Sequence, residues 1–247
     1  MMAGLLDGRF VPVTASIGLL ERRIGEVVEP FTELVRQRAM DWQVSPPPVV
    51  ERHPVDGSLA DALRAILPLN SGEPHRRLLL PTAGPWTAFF DSGWRWGDPA
   101  PFAAHLATVL RCRSLVLRAI EPYVDASGRP FPGPRELREL TLRGPERTDW
   151  LNVIRSVSVV DGDEGWRFES QGTRLPFEDT DRYGDPVIGA RLTFHQLDRY
   201  ARALGAQPFD PGWYLPPNAG PGALIEVHGL PGREYSLEEA RAQWLEP

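Results

Sequence analysis

The sequence predicts an α+β fold, with a mainly antiparallel sheet, helices packed on one face and a helical N-terminal segment. Three observations predict it. Short apolar runs recur through the second part of the chain, separated by turns rich in glycine and proline. Two of these turns, at Ala83-Gly84-Pro85 and at Asp161–Gly165, join runs that are close enough to form hairpins. Helical periodicity is confined to a few separate segments.

The N-terminal part, residues 1–72, is predicted to be a helical segment that packs on an α+β domain of residues 73–247. Its apolar residues recur at spacings of three and four, which places them on one helical face: Ile17, Leu20, Ile24, Val27, Phe31 and Leu34. We therefore expect a helix from Ile17 to about Arg38. Pro30 lacks an amide proton and should kink or divide this helix.

A stiff connector at Ser45–Pro48 should separate this helix from a second one. Ser58 followed by Asp61 is typical of a capped helix start, and this helix is expected to run to about Leu67. The central hairpin then pairs Leu78–Leu80 with Trp86–Phe90, and we expect it to form the core of the sheet.

The remaining elements follow from local patterns. Thr193 with Gln196 forms a capping-box pattern for a helix that should end at Gly205, and Ser236 with Glu239 does the same for a terminal helix. The other predicted elements are a helix at Pro99–Leu110, a loop at Gly128–Pro134, strands at Ser114–Ile120, Glu136–Leu142 and Ala223–Val227, and a hairpin of Trp150–Val160 with Trp166–Glu169.

Charge and composition exclude several function classes. The formal net charge of −6 argues against a nucleic-acid partner, because phosphate binding depends on clustered positive charge. All 27 basic residues are arginine, so the chain contains no lysine. Pyridoxal-phosphate enzymes, P-loop NTPases and ordinary protein kinases each need a lysine and are therefore excluded.

No signal peptide or membrane-spanning apolar run is visible, which predicts a cytoplasmic protein without a membrane partner. A single cysteine, Cys112, excludes an internal disulfide, and a buried, unreactive thiol is the expected role. The five histidines are widely spaced along the chain, without HxH or HExxH patterns. We therefore expect neither a metal site nor a cofactor.

The candidate binding residues are aromatic and acidic. Trp94, Trp96, Trp213 and Tyr214 lie in loop-like contexts, and aromatic side chains often anchor protein interfaces. The alternative is that they belong to the core, and the sequence does not decide between the two. Acidic residues would attract a basic partner and speed its encounter; those considered are Asp91, Asp98, Asp163, Glu164, Asp179 and Asp181.

Several motifs resemble a group of proteins from high-GC bacteria to which no activity is assigned. The motifs are GPWTAFFDSG, WLNVIRSV, GWRF followed by GTRLPFED, and FHQLDRYARALG, and the likeness covers most of residues 10–215. In its general character the chain also looks like the immunity proteins of bacterial polymorphic toxin systems. That likeness implies binding to a toxin, and the resemblance to the high-GC group implies no catalytic residues.

Two hypotheses from different classes follow. The first is a non-catalytic factor that binds another protein, specifically an immunity-type protein that neutralises a toxin. The second is a small enzyme that uses carboxylates and arginine on a sugar or phosphorylated molecule, with Asp91 as the first carboxylate to test. A flat exposed tryptophan patch would favour the first hypothesis, and a cleft with two carboxylates and a buried arginine the second. The oligomeric state is left open.

Overall fold

A computed structural model describes residues 5–94, 98–120, 136–148, 151–162 and 164–244. Its helices are α1 (Ile24–Met40), α2 (Leu59–Arg64), α3 (Ala100–Val109), α4 (Phe194–Ala203) and α5 (Leu237–Trp244). Its strands are β1 (Ser16–Leu20), β2 (Val49–Val55), β3 (Leu69–Asn70), β4 (Arg76–Pro81), β5 (Thr87–Asp91), β6 (Ser114–Ile120), β7 (Glu136–Arg143), β8 (Val153–Gly162), β9 (Gly165–Gly172), β10 (Gly222–His228) and β11 (Glu234–Tyr235).

Within these residues, nine strands form one sheet in the order β2-β10-β4-β5-β1-β6-β7-β8-β9, and β3 pairs separately with β11. All neighbouring strands are antiparallel, which confirms the predicted fold class. The late strand β10 lies between the early strands β2 and β4. Strands β2 and β9 form the two edges of the sheet.

Two hydrophobic cores lie on opposite faces of the sheet. One contains side chains of α2, α4 and α5 packed on residues such as Leu78, Phe90 and Leu140. The other contains α1 and α3, packed on Leu79 and Phe89 among others. Helices therefore cover both faces, whereas the sequence analysis expected them on one. Antiparallel strands with consecutive buried residues, as in β4, need apolar cover on both sides.

The N-terminal segment differs most from the prediction. Ile17–Leu20 is buried in strand β1, in the middle of the sheet between β5 and β6, so the prediction of a helix there is wrong. The helix begins only at Ile24 and continues through Pro30. Because residues 1–72 also supply β1 and β2 to the sheet, the helical description of this segment is incomplete.

Most of the elements predicted from local patterns form in the structure. The capping boxes of Ser58 with Asp61 and of Thr193 with Gln196 both form, and Gly205 follows the second of these helices with a φ of 80°. The predicted loop at Gly128–Pro134 lies outside the described residues. None of the helices in the described part of the chain has the length and apolar character that crossing a bilayer demands.

Candidate functional site

A cavity of about 120 Å³ lies between α1, the start of α3 and the open end of the central hairpin. Its wall combines apolar rings with several charged side chains. The lining residues that matter chemically are Phe31, Arg38, Glu73, Arg77, Asp91, Asp98 and Phe102. A cavity of this size has room for a small oxyanion or carboxylate, whereas drug-sized ligands need roughly 300 Å³ or more.

Arg77 forms the floor of this cavity and is only 3% exposed. Its guanidinium donates a hydrogen bond of 2.7 Å to the Pro74 carbonyl and forms an ion pair with Glu73. In the register of β4 with β5, Arg77 lies directly opposite Asp91. Buried Arg77 therefore lies near two carboxylates, those of Glu73 and Asp91. This arrangement is the one expected of an enzyme that uses carboxylates and arginine.

Buried Asn70 fixes the loop that carries Glu73 against the strand that carries Asp91. Its side-chain amide donates to the Glu73 carbonyl, and its Oδ1 accepts hydrogen bonds from His75 N (3.1 Å) and Ser92 Oγ (2.6 Å). The backbone amide of Asn70 also donates to the Ser92 carbonyl (2.9 Å). One buried side chain thus ties the backbone of Glu73 to Ser92, the residue that follows Asp91.

Asp91 is the most perturbed acid of the site. Burial raises its pKa from the ordinary 3.8 to about 6, although the charge of Arg77 and a hydrogen bond from the Gly93 amide (2.9 Å) act in the opposite direction. Nearby Glu73 and Asp98 add smaller increases. Since a proton donor or acceptor works best when its pKa lies near the working pH, Asp91 is suited to proton transfer close to neutrality.

Arg38 faces the same cavity from α1. Its guanidinium carbon lies 4.8 Å from the centre of the Phe102 ring, and the guanidinium carbon of Arg77 lies 5.0 Å from that ring. Among the described residues, Arg38 makes no ion pair. By contrast, Arg77 is paired with Glu73, and Asp98 is paired with Arg118. Arg38 therefore remains as the cation available to a ligand.

The aromatic residues predicted as anchors have a different environment. Trp94, Trp213 and Tyr214 are 5%, 3% and 4% exposed. Trp94 packs edge-on against Tyr235 at 5.4 Å, and Tyr214 donates a hydrogen bond of 2.6 Å to the Pro208 carbonyl. For these three residues the structure supports the core alternative, because their rings complete the packing of the larger core. Trp96 and Asp163 lie outside the described residues.

The structure brings two of the predicted acidic residues, Asp91 and Asp98, to one cavity. The two arginines that line the same cavity, Arg38 and Arg77, are not among the predicted site residues. Arg77 could have been found, because a hairpin turn centred on Gly84 places it opposite Asp91. Arg38 could not, since only the packing of α1 on the sheet brings it there.

A second polar cavity, of about 420 Å³, lies beside β10 and the loop before β11. Three of the five histidines converge near it: His53 and His228 each lie 3.5 Å from Glu51 Oε2, and His75 lies 3.8 Å from Glu234. Even so, the described residues contain no group of three or more His, Cys, Asp or Glu side chains that could hold a metal ion.

The arginine of this second cavity is already neutralised. Arg76 forms ion pairs of 2.9 Å with both Glu226 and Glu234. We therefore regard the smaller cavity, with its available cation and its perturbed acid, as the candidate site. Comparison of the chain with protein-family models, with curated proteins and with solved structures gives no match.

Proposed function

We propose that this protein is a small enzyme that acts on a phosphorylated or otherwise anionic small molecule in the cavity between α1, α3 and the central hairpin. Arg38 would hold the anionic group, and Asp91 would transfer a proton. The observation that carries the proposal is an acid with a pKa of about 6 in the same small cavity as an arginine that has no ion-pair partner among the described residues.

The charges explain why an anion fits. Arg77 and Asp98 are neutralised by Glu73 and Arg118, so their pairs contribute little net charge to a ligand. Below pH 6, Asp91 is mostly protonated and can donate a hydrogen bond to an anion, which leaves the positive charge of Arg38 uncompensated. Above pH 6, ionised Asp91 repels an anion. Affinity should therefore fall as the pH rises through about 6.

Replacing Arg38 with methionine tests this assignment. Sulfate is a suitable probe because its charge does not change between pH 5 and 8. At pH 5 we expect the dissociation constant for sulfate to rise roughly tenfold or more in Arg38→Met, since charge-assisted hydrogen bonds are lost. Isothermal titration calorimetry measures this change.

The matched control is Arg36→Met, on the same helix, because Arg36 pairs with Glu33 and does not line the cavity. It should bind sulfate as the unchanged protein does. Equal affinity in Arg38→Met and the unchanged protein would contradict the assignment, as would the absence of any sulfate binding by the unchanged protein at millimolar concentrations.

Neutralisation of a bacterial toxin by protein binding is a second proposal. What supports it is an exposed apolar set that the sequence analysis did not single out: Met40, Trp42 and Val49 are 49%, 43% and 55% exposed. Met40 ends α1, Trp42 lies in the connection from α1 to β2, and Val49 begins β2. An exposed tryptophan is a common interface anchor. The net charge of −6 would favour a basic partner.

Affinity capture from the native host separates this second proposal from the first. We expect Trp42→Ala to lose a partner that the unchanged protein retains, with thermal unfolding unaffected because the side chain is exposed. Trp94→Ala is the contrasting variant. Because the Trp94 side chain is buried in the core, removing it should lower the melting temperature. Retention of the same partner by Trp42→Ala would remove this tryptophan from the interface.

A further inference from the structure

No strand of the described part of the chain pairs with the outer edge of β9. Strand β9 ends the sheet next to β8, and among the described residues no backbone hydrogen bond reaches its outer side. Such an edge is a template for another strand. The opposite edge strand, β2, contains Pro54 and three charged or ionisable residues, which blunt it, whereas β9 has eight residues without proline.

The hairpin geometry shows which backbone groups face outward. Only two residues separate Gly162 from Gly165, so these glycines form the closing pair of the β8–β9 hairpin and exchange hydrogen bonds. At the other end, the Thr173 amide donates to the Ile154 carbonyl at 3.2 Å. Odd-numbered residues of β9 therefore bond to β8, and the backbone groups of Trp166, Phe168 and Ser170 point away from it.

The strand is held rigidly for such pairing. Phe168 packs against Tyr183 with ring centres 5.0 Å apart, and the Trp166 ring lies so close to Gly189 that a Cβ there would be 3.0 Å from it. Because both aromatic side chains are fixed on the core face, ordering the edge costs little further conformational entropy on binding.

The sequence of β9 is complementary to itself. When two copies pair antiparallel with Phe168 on the symmetry axis, the outward backbone groups of the two strands meet. In this register, Arg167 lies opposite Glu169 of the partner subunit, and the reverse contact follows by symmetry. Arg167 and Glu169 are both exposed, and the Arg167 side chain is 58% exposed with Glu164 Oε2 at 3.4 Å.

We propose that two copies of this chain associate through β9 and extend the sheet continuously across a two-fold axis. The two symmetry-related Arg167–Glu169 contacts fix the register. This inference is independent of the proposed enzymatic function, because β9 does not line the candidate cavity.

Charge reversal tests both the surface and the register. In Arg167→Glu, each contact of the dimer becomes a pair of like charges, and the same is true of Glu169→Arg. Sedimentation velocity should show a dimer for the unchanged protein and a dissociation constant at least roughly tenfold higher for either variant. An equimolar mixture of the two variants restores both opposite-charge contacts and should recover the dimer.

The control is Arg202→Glu, an exposed arginine on α4, which should remain dimeric. Circular dichroism confirms that each variant is folded, and hydrogen exchange supplies an independent readout. The outward amides of Trp166, Phe168 and Ser170 should become protected only at concentrations where the dimer forms. Proteins that pair specifically are associated at concentrations of about 10⁻⁴ M. The proposal is therefore overturned if the unchanged protein is monomeric at about 200 µM. It is also overturned if the mixture of the two variants does not dimerise.

Discussion

Replacing Glu178 with alanine is expected to destabilise the protein by about 3–5 kcal/mol, the largest effect of any substitution considered. Glu178 and Arg155 both have side chains that are 1% exposed, and they form a two-point ion pair. Arg155 Nε donates a hydrogen bond to Glu178 Oε1 at 2.8 Å, and Arg155 Nη2 donates one to Glu178 Oε2 at 2.6 Å. Without the carboxylate, a buried guanidinium has no countercharge.

Glu178 also links the 175–183 segment to strand β8. It accepts hydrogen bonds from the Tyr183 hydroxyl (2.6 Å) and from the Leu175 amide (2.8 Å), in addition to those from Arg155 on β8. Arg155 in turn donates to Ser170 Oγ on β9. The pair therefore ties the 175–183 segment to the β8–β9 hairpin, and its loss should loosen both.

The stability that Glu178 contributes changes with pH in a defined direction. Burial raises the pKa of Glu178, but the hydrogen bonds from Arg155 and Tyr183 outweigh burial, so its pKa lies below the ordinary 4.5. A lowered pKa stabilises the folded state above pH 4.5, and this stabilisation is lost as the pH falls through the folded-state pKa. The unchanged protein should therefore lose stability in acid, and Glu178→Ala should lack this part of the acid transition.

Urea unfolding at pH 7 measures the main effect. The matched control is Glu164→Ala, which removes an exposed ion pair with Arg167 and should change stability by no more than about 0.5 kcal/mol. A loss below about 1 kcal/mol for Glu178→Ala would contradict the assignment of Glu178 as the countercharge of a fully buried arginine.

Local signals predicted much of the fold, because their physics acts within a few residues. The turn at Gly84 specifies the central hairpin, and the Thr193 capping box specifies the start of α4. The prediction of a helix at Ile17–Leu20 is wrong because a short apolar run fits a buried strand as well as a helix. Only the pairing of this run with β5 and β6 decides that it is a strand.

The position of β10 and the composition of the candidate site depend on long-range packing. Nothing local in residues 222–228 shows that they pair with β2 and β4. The sequence indicates Asp91 as the first carboxylate to test, but the raised pKa of Asp91 depends on burial, which periodicity does not measure. The tryptophans near it are apolar enough for either core or interface, so composition alone left both alternatives open.

Replacing Asp91 with asparagine is expected to stabilise the protein at pH 7.5. Because its pKa is raised from 3.8 to about 6, the folded state binds the Asp91 proton more tightly than the unfolded state. Stability then falls as the pH rises from about 4 to about 6 and is constant above, with a total loss of up to about 3 kcal/mol. Asparagine never ionises, so Asp91→Asn should gain about 1–3 kcal/mol at pH 7.5.

Urea unfolding at pH 4 and pH 7.5 measures whether Asp91→Asn has a higher free energy of unfolding than the unchanged protein. The two proteins should differ at pH 7.5 and converge at pH 4, where Asp91 is protonated in the folded state. Asp98→Asn is the control, because Asp98 lies in the same cavity but is 48% exposed and paired with Arg118. It should give no stabilisation at pH 7.5. A destabilised Asp91→Asn at that pH would show that the carboxylate serves packing and not chemistry.

The same variant distinguishes an Asp91 that only costs stability from an Asp91 that also acts on a ligand. If Asp91 acts on an anion beside Arg38, the affinity for sulfate should fall through about pH 6 in the unchanged protein and should be independent of pH in Asp91→Asn. A residue that costs stability while it controls ligand binding is typical of an active site, where function and stability are in conflict. Stabilisation with an unchanged pH profile of sulfate binding would instead separate Asp91 from the ligand and leave Arg38 alone as the anion contact.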